Sequence, residues 1–261
     1  MDSIEAIDRG YEMKIVVIIP SRYGSTRFEG KPLARIFGKP MIQCVYERAS
    51  ISDIVDQVVV ATDDERIYGV VTGFGGKAIM TDAENRSGTD RVAEAAEKLN
   101  LSANDIIVNI QGDQPCIHPS CIHEVAALLI ENPDIQMSTL AFKIINPEEI
   151  TNPKDVKVIF DVLGNALYFS RSAIPFGRDS STVFDTYKHL GIYAYTRRFL
   201  DIFRSLPDGK LENIEKLEQL RALEYGHRIR VMVTDHDSPE VDIQEDINRI
   251  SLDIPAPFFY N

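Results

Sequence analysis

The sequence predicts an α/β fold: a doubly wound, mostly parallel sheet with a mixed-sheet lobe in its second half. Two observations carry this. Apolar runs without alternation recur at Lys14–Ile19 (KIVVII), Gln57–Ala61 (QVVVA) and Asp105–Ile110 (DIIVNI), as strands covered on both faces require. Between them lie stretches whose apolar residues repeat at helical spacing, and such strand–helix alternation winds into a parallel sheet.

Taken in order, Lys14–Ile19 is the first central strand. Pro40–Ser50 reads as a helix with Pro at its start and Met41, Ile42 and Val45 apolar. Gln57–Ala61 is the second strand, followed by a helix over Asp63–Val71 and a short strand at Ala78–Met80. Gly88–Leu99 is a helix with Val92, Ala95, Ala96 and Leu99 along one stripe. Asp105–Ile110 is another buried strand, ending at Gln111-Gly112-Asp113-Gln114-Pro115.

From about Gln136 the pattern changes. Strands are expected at Gln136–Lys143, Val156–Asp161, Ala166–Ser170 and His189–Tyr195, separated by Asn-Pro and Gly turns. Asn213–Tyr225 is expected to form one helix with Ile214, Leu217, Leu220 and Leu223 as its core stripe. Arg228–Val233 is a late strand returning to the main sheet. Residues 13–250 then form one domain: 13–135 the nucleotide half, 136–227 the lobe, 228–250 the return. Residues 1–12 read as a flexible leader, with Met13 a second candidate start. The tail 251–261, apolar from Pro255, is expected to pack on the body or on a partner subunit.

The 261 residues are enough to bury a sizeable core, and 44% hydrophobic with 26% charged is the composition of a soluble globular chain. A formal net charge of −12 argues against non-specific nucleic-acid or anionic-membrane binding, which needs basic surface. No apolar run approaches the roughly 20 residues that span a bilayer, and Met1–Glu12 lacks a signal peptide's apolar stretch. Three cysteines do not suggest a disulfide framework, so a reducing cytoplasm is the expected setting.

The loop after the first strand, Pro20 to Pro32, holds Arg22, Arg27 and Lys31, with Gly24 and Gly30 between them. Three cations on a glycine-containing turn at a strand's carboxyl end suit a triphosphate. It is not a P-loop: the spacing is one residue too long, and Pro32 replaces the metal-binding hydroxyl. Asp113 also ends a strand, where it can hold a hard cation such as Mg²⁺ or close an Asx-turn. Asp242 and Glu245 form a D-x-x-E pattern that helix capping alone explains.

Cys116, His118, Cys121 and His123 offer zinc ligand types, but a helix opened by Pro119 does not let all four converge on one point. Cys44 reads as a packed residue. In the second half Arg171 ends a strand, and Lys188-His189 precedes one, so an acidic second substrate is accommodated there. His189 by itself also reads as a buried core histidine, and Glu215 and Glu218 as solvated helix charges.

With these residues in place, the chain resembles the 3-deoxy-manno-octulosonate (Kdo) cytidylyltransferases from about Met13 to Ile250. The motifs are IIPSRYGSTRFEGKPL, VVVATDDERI, SGTDR, VNIQGDQP, ALYFSRSAIPF, KHLGIYAY, the block from Ile214 to Gly226, and EVDIQED. The resemblance implies a nucleotidyltransferase fold, usually dimeric. The implied reaction joins CTP to Kdo with Mg²⁺, giving CMP-Kdo and pyrophosphate for lipopolysaccharide biosynthesis. It assigns Arg22, Arg27 and Lys31 to the triphosphate, and Ser21 to Gly24 with Ser87, Gly88, Thr89 and Arg91 to the rest of CTP. Asp113 and Asp242 fall on the metal positions; Gln111, Arg171, His189, Tyr193, Glu218 and Gln219 fall on the sugar positions. Where many members read Val-Asp-Thr-Pro-Glu-Asp, this chain has Ile243-Gln244 in place of Thr-Pro. Relatives acting on the 8-amino-8-deoxy analogue share the second-half blocks, and a non-catalytic nucleotide-binding regulator is the reading from another class.

Overall fold

The structure, a computed structural model, describes residues 12–24, 28–179 and 181–253. Arg27, most of the leader and the end of the tail lie outside the described residues.

The first half alternates strand and helix. β1 (Ile15–Ser21) leads through the basic loop to a 3-10 turn at Lys31–Leu33, the two-residue strands β2 (Arg35–Ile36) and β3 (Lys39–Pro40), and α1 (Met41–Ser50). Then come β4 (Gln57–Thr62), α2 (Glu65–Gly73), β5 (Ala78–Met80), α3 (Gly88–Lys98), β6 (Ile106–Asn109) and α4 (Pro119–Glu131). Polar side chains start three of these helices; at α4 His118 accepts the Ser120 N–H. Asp64 accepts the Arg66 N–H, and Ser87 accepts the Asp90 N–H, satisfying donors that a helix N-terminus leaves free.

The second half holds β7 (Met137–Lys143), α5 (Glu148–Thr151), β8 (Lys157–Phe160), β9 (Ala166–Ser170), β10 (Tyr187–Thr196) and α6 (Arg197–Ser205). It closes with α7 (Lys210–Glu215), α8 (Leu220–Glu224), β11 (Arg230–Thr234) and α9 (Gln244–Asp253). Among the described residues the main sheet runs β11-β7-β10-β6-β1-β4-β5, and the β8–β9 hairpin joins it through β10. β10 is antiparallel to both neighbours, while the β6-β1-β4-β5 block and the β11–β7 pair are parallel. The returning strand expected near residue 230 is therefore β11, at the sheet edge.

The unalternating apolar runs have a direct cause. Ile15, Val17 and Ile19 of β1 pack with Val45 of α1, Val71 of α2 and Val125 of α4. Val16 and Ile18 pack in a second cluster with Val92 of α3 and Phe199 of α6. Each face of the sheet is covered, so both side-chain registers of a central strand must be apolar. A third cluster, with Ile36, Met41, Cys116, Val241 and Ile247, seats α9 near the 3-10 turn.

One expected element is corrected. Asn213–Tyr225 is not a single helix: α7 ends at Lys216, whose φ of 54° is left-handed, and α8 starts at Leu220. A left-handed residue breaks the 3.6-residue register. Ile214 therefore leaves the core stripe and is 77% exposed, whereas Leu217 and Leu220 stay buried.

Candidate active site

The parallel register brings three loops to one rim. Ser21 at the end of β1 lies opposite Thr62, and Ile18 opposite Asn109. The chain leaves β1, β4 and β6 on the same side, where open α/β sheets bind ligands.

The loop after β1 is fastened at its base. The Gly30 N–H donates to the Tyr23 carbonyl at 3.0 Å. Gly30 has φ +69°, and a Cβ there would meet the Tyr23 ring at 3.0 Å, so glycine answers both the backbone and the space. Arg66 lies over the Tyr23 ring, 3.2 Å from its centroid, and forks onto Asp64. Beyond this base Lys31 reaches inward. Its Nζ stands 2.6 Å from Asp113 Oδ2, 2.9 Å from the Val241 carbonyl and 4.0 Å from Asp242 Oδ1.

That ammonium joins three segments far apart in sequence. The Val241 N–H donates to the Asp113 carbonyl at 2.9 Å, so the two carboxylate-bearing segments are also tied through backbone. Asp246 accepts the N–H groups of Asp242 and Ile243 at 2.8 and 3.1 Å. The reach-back that the D-x-x-E pattern assigns to Glu245 is made by Asp246, and the start of α9 is held although Thr-Pro is absent.

A cleft of about 280 Å³ opens beside Lys31, lined by Ser21, Arg22, Ser87, Gly88, Arg91, Gln111 and Asp113. Asn85 and Arg86 line it too; sequence reasoning missed them, although they directly precede the Ser87–Arg91 motif. Arg91 is only 4% exposed, and its guanidinium binds Asp63 Oδ2 at 2.7 Å and Thr81 Oγ1. It therefore stiffens the cleft wall as well as facing the cleft. Gly24 is exposed and lines neither this cleft nor the larger cavity described below.

The sugar-side residues divide into three groups. Glu218 accepts from Ser87 Oγ at 2.6 Å and Thr89 Oγ1 at 2.9 Å. Burial raises its carboxyl above the ordinary range, and the two hydroxyls pull it back. Its default reading as a solvated helix charge is thus overturned, and so is that of Glu215, which accepts from Ser170 Oγ and the Arg171 N–H. The break at Lys216 is what frees both glutamates from a common outer face. Gln219, beside Glu218, is buried at the start of α8.

His189 and Tyr193 form the second group, on β10. His189 Nε2 lies 2.9 Å from Thr139 Oγ1, with Phe169 edge-on to the imidazole and Tyr193 tilted against it. Burial pushes the imidazole down to about 3. His189 lines a larger cavity of about 740 Å³ that also reaches Asp242 and Glu240. Arg171 stands apart. It donates to the carbonyls of Glu215 and Pro153 at 2.8 Å each and of Lys216 at 3.4 Å, so it pins the α7–α8 turn and lines neither cavity.

Glu240 is a further residue that sequence reasoning missed. Desolvation in the cavity, then the charges of Asp113 and Asp242, raise its carboxyl above the ordinary range, with Lys31 opposing, though the residue itself remains exposed. Only its place two residues before Asp242 pointed to it. The apparent zinc motif disperses in space. Cys116 and Cys121 are buried thiols pushed up to about 12 and about 11 by burial. His118 Nδ1 accepts the Ser120 N–H and its ring stacks on His236 at 3.7 Å, while His123 is exposed.

Comparison with known proteins agrees with this geometry. The family model described as cytidylyltransferase matches residues 16–229. The 3-deoxy-manno-octulosonate cytidylyltransferase of Desulfosudis oleivorans is 65% identical over 238 residues, 91% of this chain and 96% of that one. The 8-amino-3,8-dideoxy-manno-octulosonate cytidylyltransferase of Shewanella frigidimarina is 54% identical over 241 residues, 92% of this chain and 98% of that one. A solved CMP:2-keto-3-deoxy-manno-octonic acid synthetase complexed with CTP superposes with a TM-score of 0.86 at 42% identity, covering 92% of this chain and 97% of that one. With a match over most of its length and relatives at this identity, the chain belongs to the cytidylyltransferase family.

Proposed function

We propose that the protein transfers the cytidylyl group of CTP to the anomeric hydroxyl of Kdo, releasing pyrophosphate. The observation that carries this is the Lys31 ammonium beside Asp113 and Asp242, where a cationic nucleotide-sized cleft approaches the cavity lined by His189. The relatives named for Kdo and for its 8-amino analogue, and the CTP complex of the solved relative, support the same two substrates.

In this reading Lys31 and Arg22 offset the triphosphate charge, and Arg27 carries the same expectation outside the described residues. Ser21, Gly88 and Arg91 contact the remainder of CTP; Ser87 and Thr89, through Glu218, connect it to the sugar. Gln111, His189, Tyr193 and Gln219 hold the sugar, and Arg171 holds the turn that presents Glu218. The sugar oxygen loses its proton and bonds the α-phosphorus as the bond to pyrophosphate breaks. Such transfer depends mainly on positioning and charge neutralisation, so no covalent enzyme intermediate is needed.

Two carboxylates that share one cation, next to a cleft for phosphates, are a donor set that suits Mg²⁺. Asp113 and Asp242 would hold the metal, which when bound supplies charge neutralisation and favours ionisation of the attacking hydroxyl. Retention of Asp113, Asp242 and Lys31 together argues for catalysis over a regulatory role.

A homodimer is part of the proposal, supported by exposed apolar side chains on the β9–β10 connection, Phe176 at 87% and Val183 at 96%. So is a cytoplasmic setting, supported by three free, buried cysteines. Among the described residues no helix is long and apolar enough to cross a membrane. Pyrophosphate release from CTP and Mg²⁺, measured with Kdo and with the 8-amino sugar, tests the reaction; no release with either sugar overturns it.

A further inference from the structure

Lys157, the first residue of β8, is a fully buried lysine that the reaction set out above does not use. It lines neither of the two cavities. Its ammonium donates to the Asn152 carbonyl at 2.8 Å and to the Asp155 carbonyl. Burying an ammonium is costly unless hydrogen bonds offset the lost hydration, and an apolar side chain fills the same space without that cost. What the ammonium adds at this position is two donors aimed at one loop.

That loop, residues 152–156 between α5 and β8, is a wall of the cavity that His189 lines: Asn152, Lys154, Asp155 and Val156 all face it. Asn152 ties the loop to itself, with Nδ2 on Asp155 Oδ2 at 2.8 Å and Oδ1 accepting the Lys154 N–H at 3.1 Å. Those bonds give the loop its shape, but only contacts outside it fix its place on the sheet. Lys157 supplies two of them, and Arg171 adds a third on the Pro153 carbonyl. The loop then reaches His189 directly. The Val156 carbonyl accepts the His189 N–H at 2.7 Å, and Lys157 pairs with Lys188 where β8 meets β10. A displaced loop is therefore felt at His189 through one hydrogen bond, beside Lys157 itself.

We infer that Lys157 is a positioning residue for the sugar half of the site: its buried ammonium clamps the 152–156 loop and, through the Val156 carbonyl, holds His189 in place against the cavity. This rests on the sugar being held at His189, as proposed above. The clamp acts on one substrate only, because no residue of the loop lines the cleft of Lys31 and Arg22.

The test measures KM for the octulosonate and for CTP, with Mg²⁺, in wild type, Lys157→Met and Lys157→Gln, well below the thermal midpoint of each. Methionine keeps an unbranched stem and removes the donors. Its sugar KM should rise about tenfold with the CTP KM unchanged, since a displaced binding group weakens its own ligand. Glutamine keeps a shorter donor and should fall between. A variant that only loses stability loses active molecules, and neither KM moves. Amide hydrogen exchange without substrates is the second readout: His189 should exchange about tenfold faster in Lys157→Met while the amides of β1 keep their wild-type rates. An unchanged sugar KM or an equal rise in both KM values overturns the clamp. So does His189 exchange that is unchanged or matched by β1. If Lys157→Met does not fold, the same criteria are read on Lys157→Gln. A wild type that turns over neither sugar overturns the proposed reaction and the sugar role with it, whereas exchange still decides whether Lys157 holds His189.

Discussion

Lys31 Nζ stands 2.6 Å from the Asp113 carboxylate, a contact between residues 82 apart in the chain. One residue closes the basic loop after β1; the other follows β6, and their strands are hydrogen-bonded neighbours in the sheet. The pair marks where the nucleotide cleft and the carboxylates face each other. Its partners, the Val241 carbonyl and Asp242, come from the far end of the described chain.

Asp113→Ala should cut pyrophosphate release by about a thousandfold, the scale on which losing one electrostatic stabiliser acts. The fold should persist, because Asp113 is only partly buried and its backbone contact with Val241 remains. Steady-state rates beside circular dichroism separate the two effects. An intact rate, or an unfolded variant, would show that Asp113 does not serve as the metal carboxylate.

Arg91→Ala should destabilise the protein by about 3 kcal/mol, near the lower end for breaking a buried ion pair. Asp63 keeps 20% of its side chain exposed, which limits the cost. Arg91→Lys should recover little, since an ammonium does not reproduce the fork onto Asp63 and Thr81. Urea unfolding midpoints of the three proteins provide the check.

For Arg171→Ala the expected loss is about 1 kcal/mol, because two of the three carbonyls it serves are exposed and take water in its place. The sugar KM should rise with it, because the turn presenting Glu218 and Gln219 loosens. A higher sugar KM with an unchanged thermal midpoint would place Arg171 on the sugar itself.

His189 supplies a pH signature. Burial holds its imidazole at about 3, far below the ordinary 6.5, so in this range protons bind the unfolded chain in preference to the native state. The stability this contributes is present above pH 6.5 and is lost as the pH falls from 6.5 towards 3. His189→Gln lacks that dependence, so the stability gap between wild type and variant should narrow as the pH drops. Thermal midpoints between pH 7 and 4 measure it, and a gap that widens would refute the buried, neutral histidine.

Local patterns were enough for much of the scaffold. β1, β4 and β6 are legible because each must be apolar on both faces, and the sequence shows that wherever it occurs. Lys31 and Asp113 are legible as well, since charges on the loops that leave buried parallel strands gather at the ligand rim. The family motifs then added Asp242, His189 and Glu218, whose own surroundings in the chain read as a cap, a core residue and a solvated helix.

Tertiary contacts decided the rest. A single left-handed residue, Lys216, splits the expected helix, exposes Ile214 and turns Glu215 and Glu218 inward. Helical periodicity is blind to such a break, because Lys has no marked preference for that backbone region. Arg171 binds carbonyls from two segments, and Glu240 owes its place to Gln114 and Gly191. The sequence by itself determined which segments become strands and where charge must gather, because burial and strand ends act along the chain. Which carboxylate meets which hydroxyl, lysine or backbone depended on distances between segments tens to hundreds of residues apart, and only the folded sheet sets those.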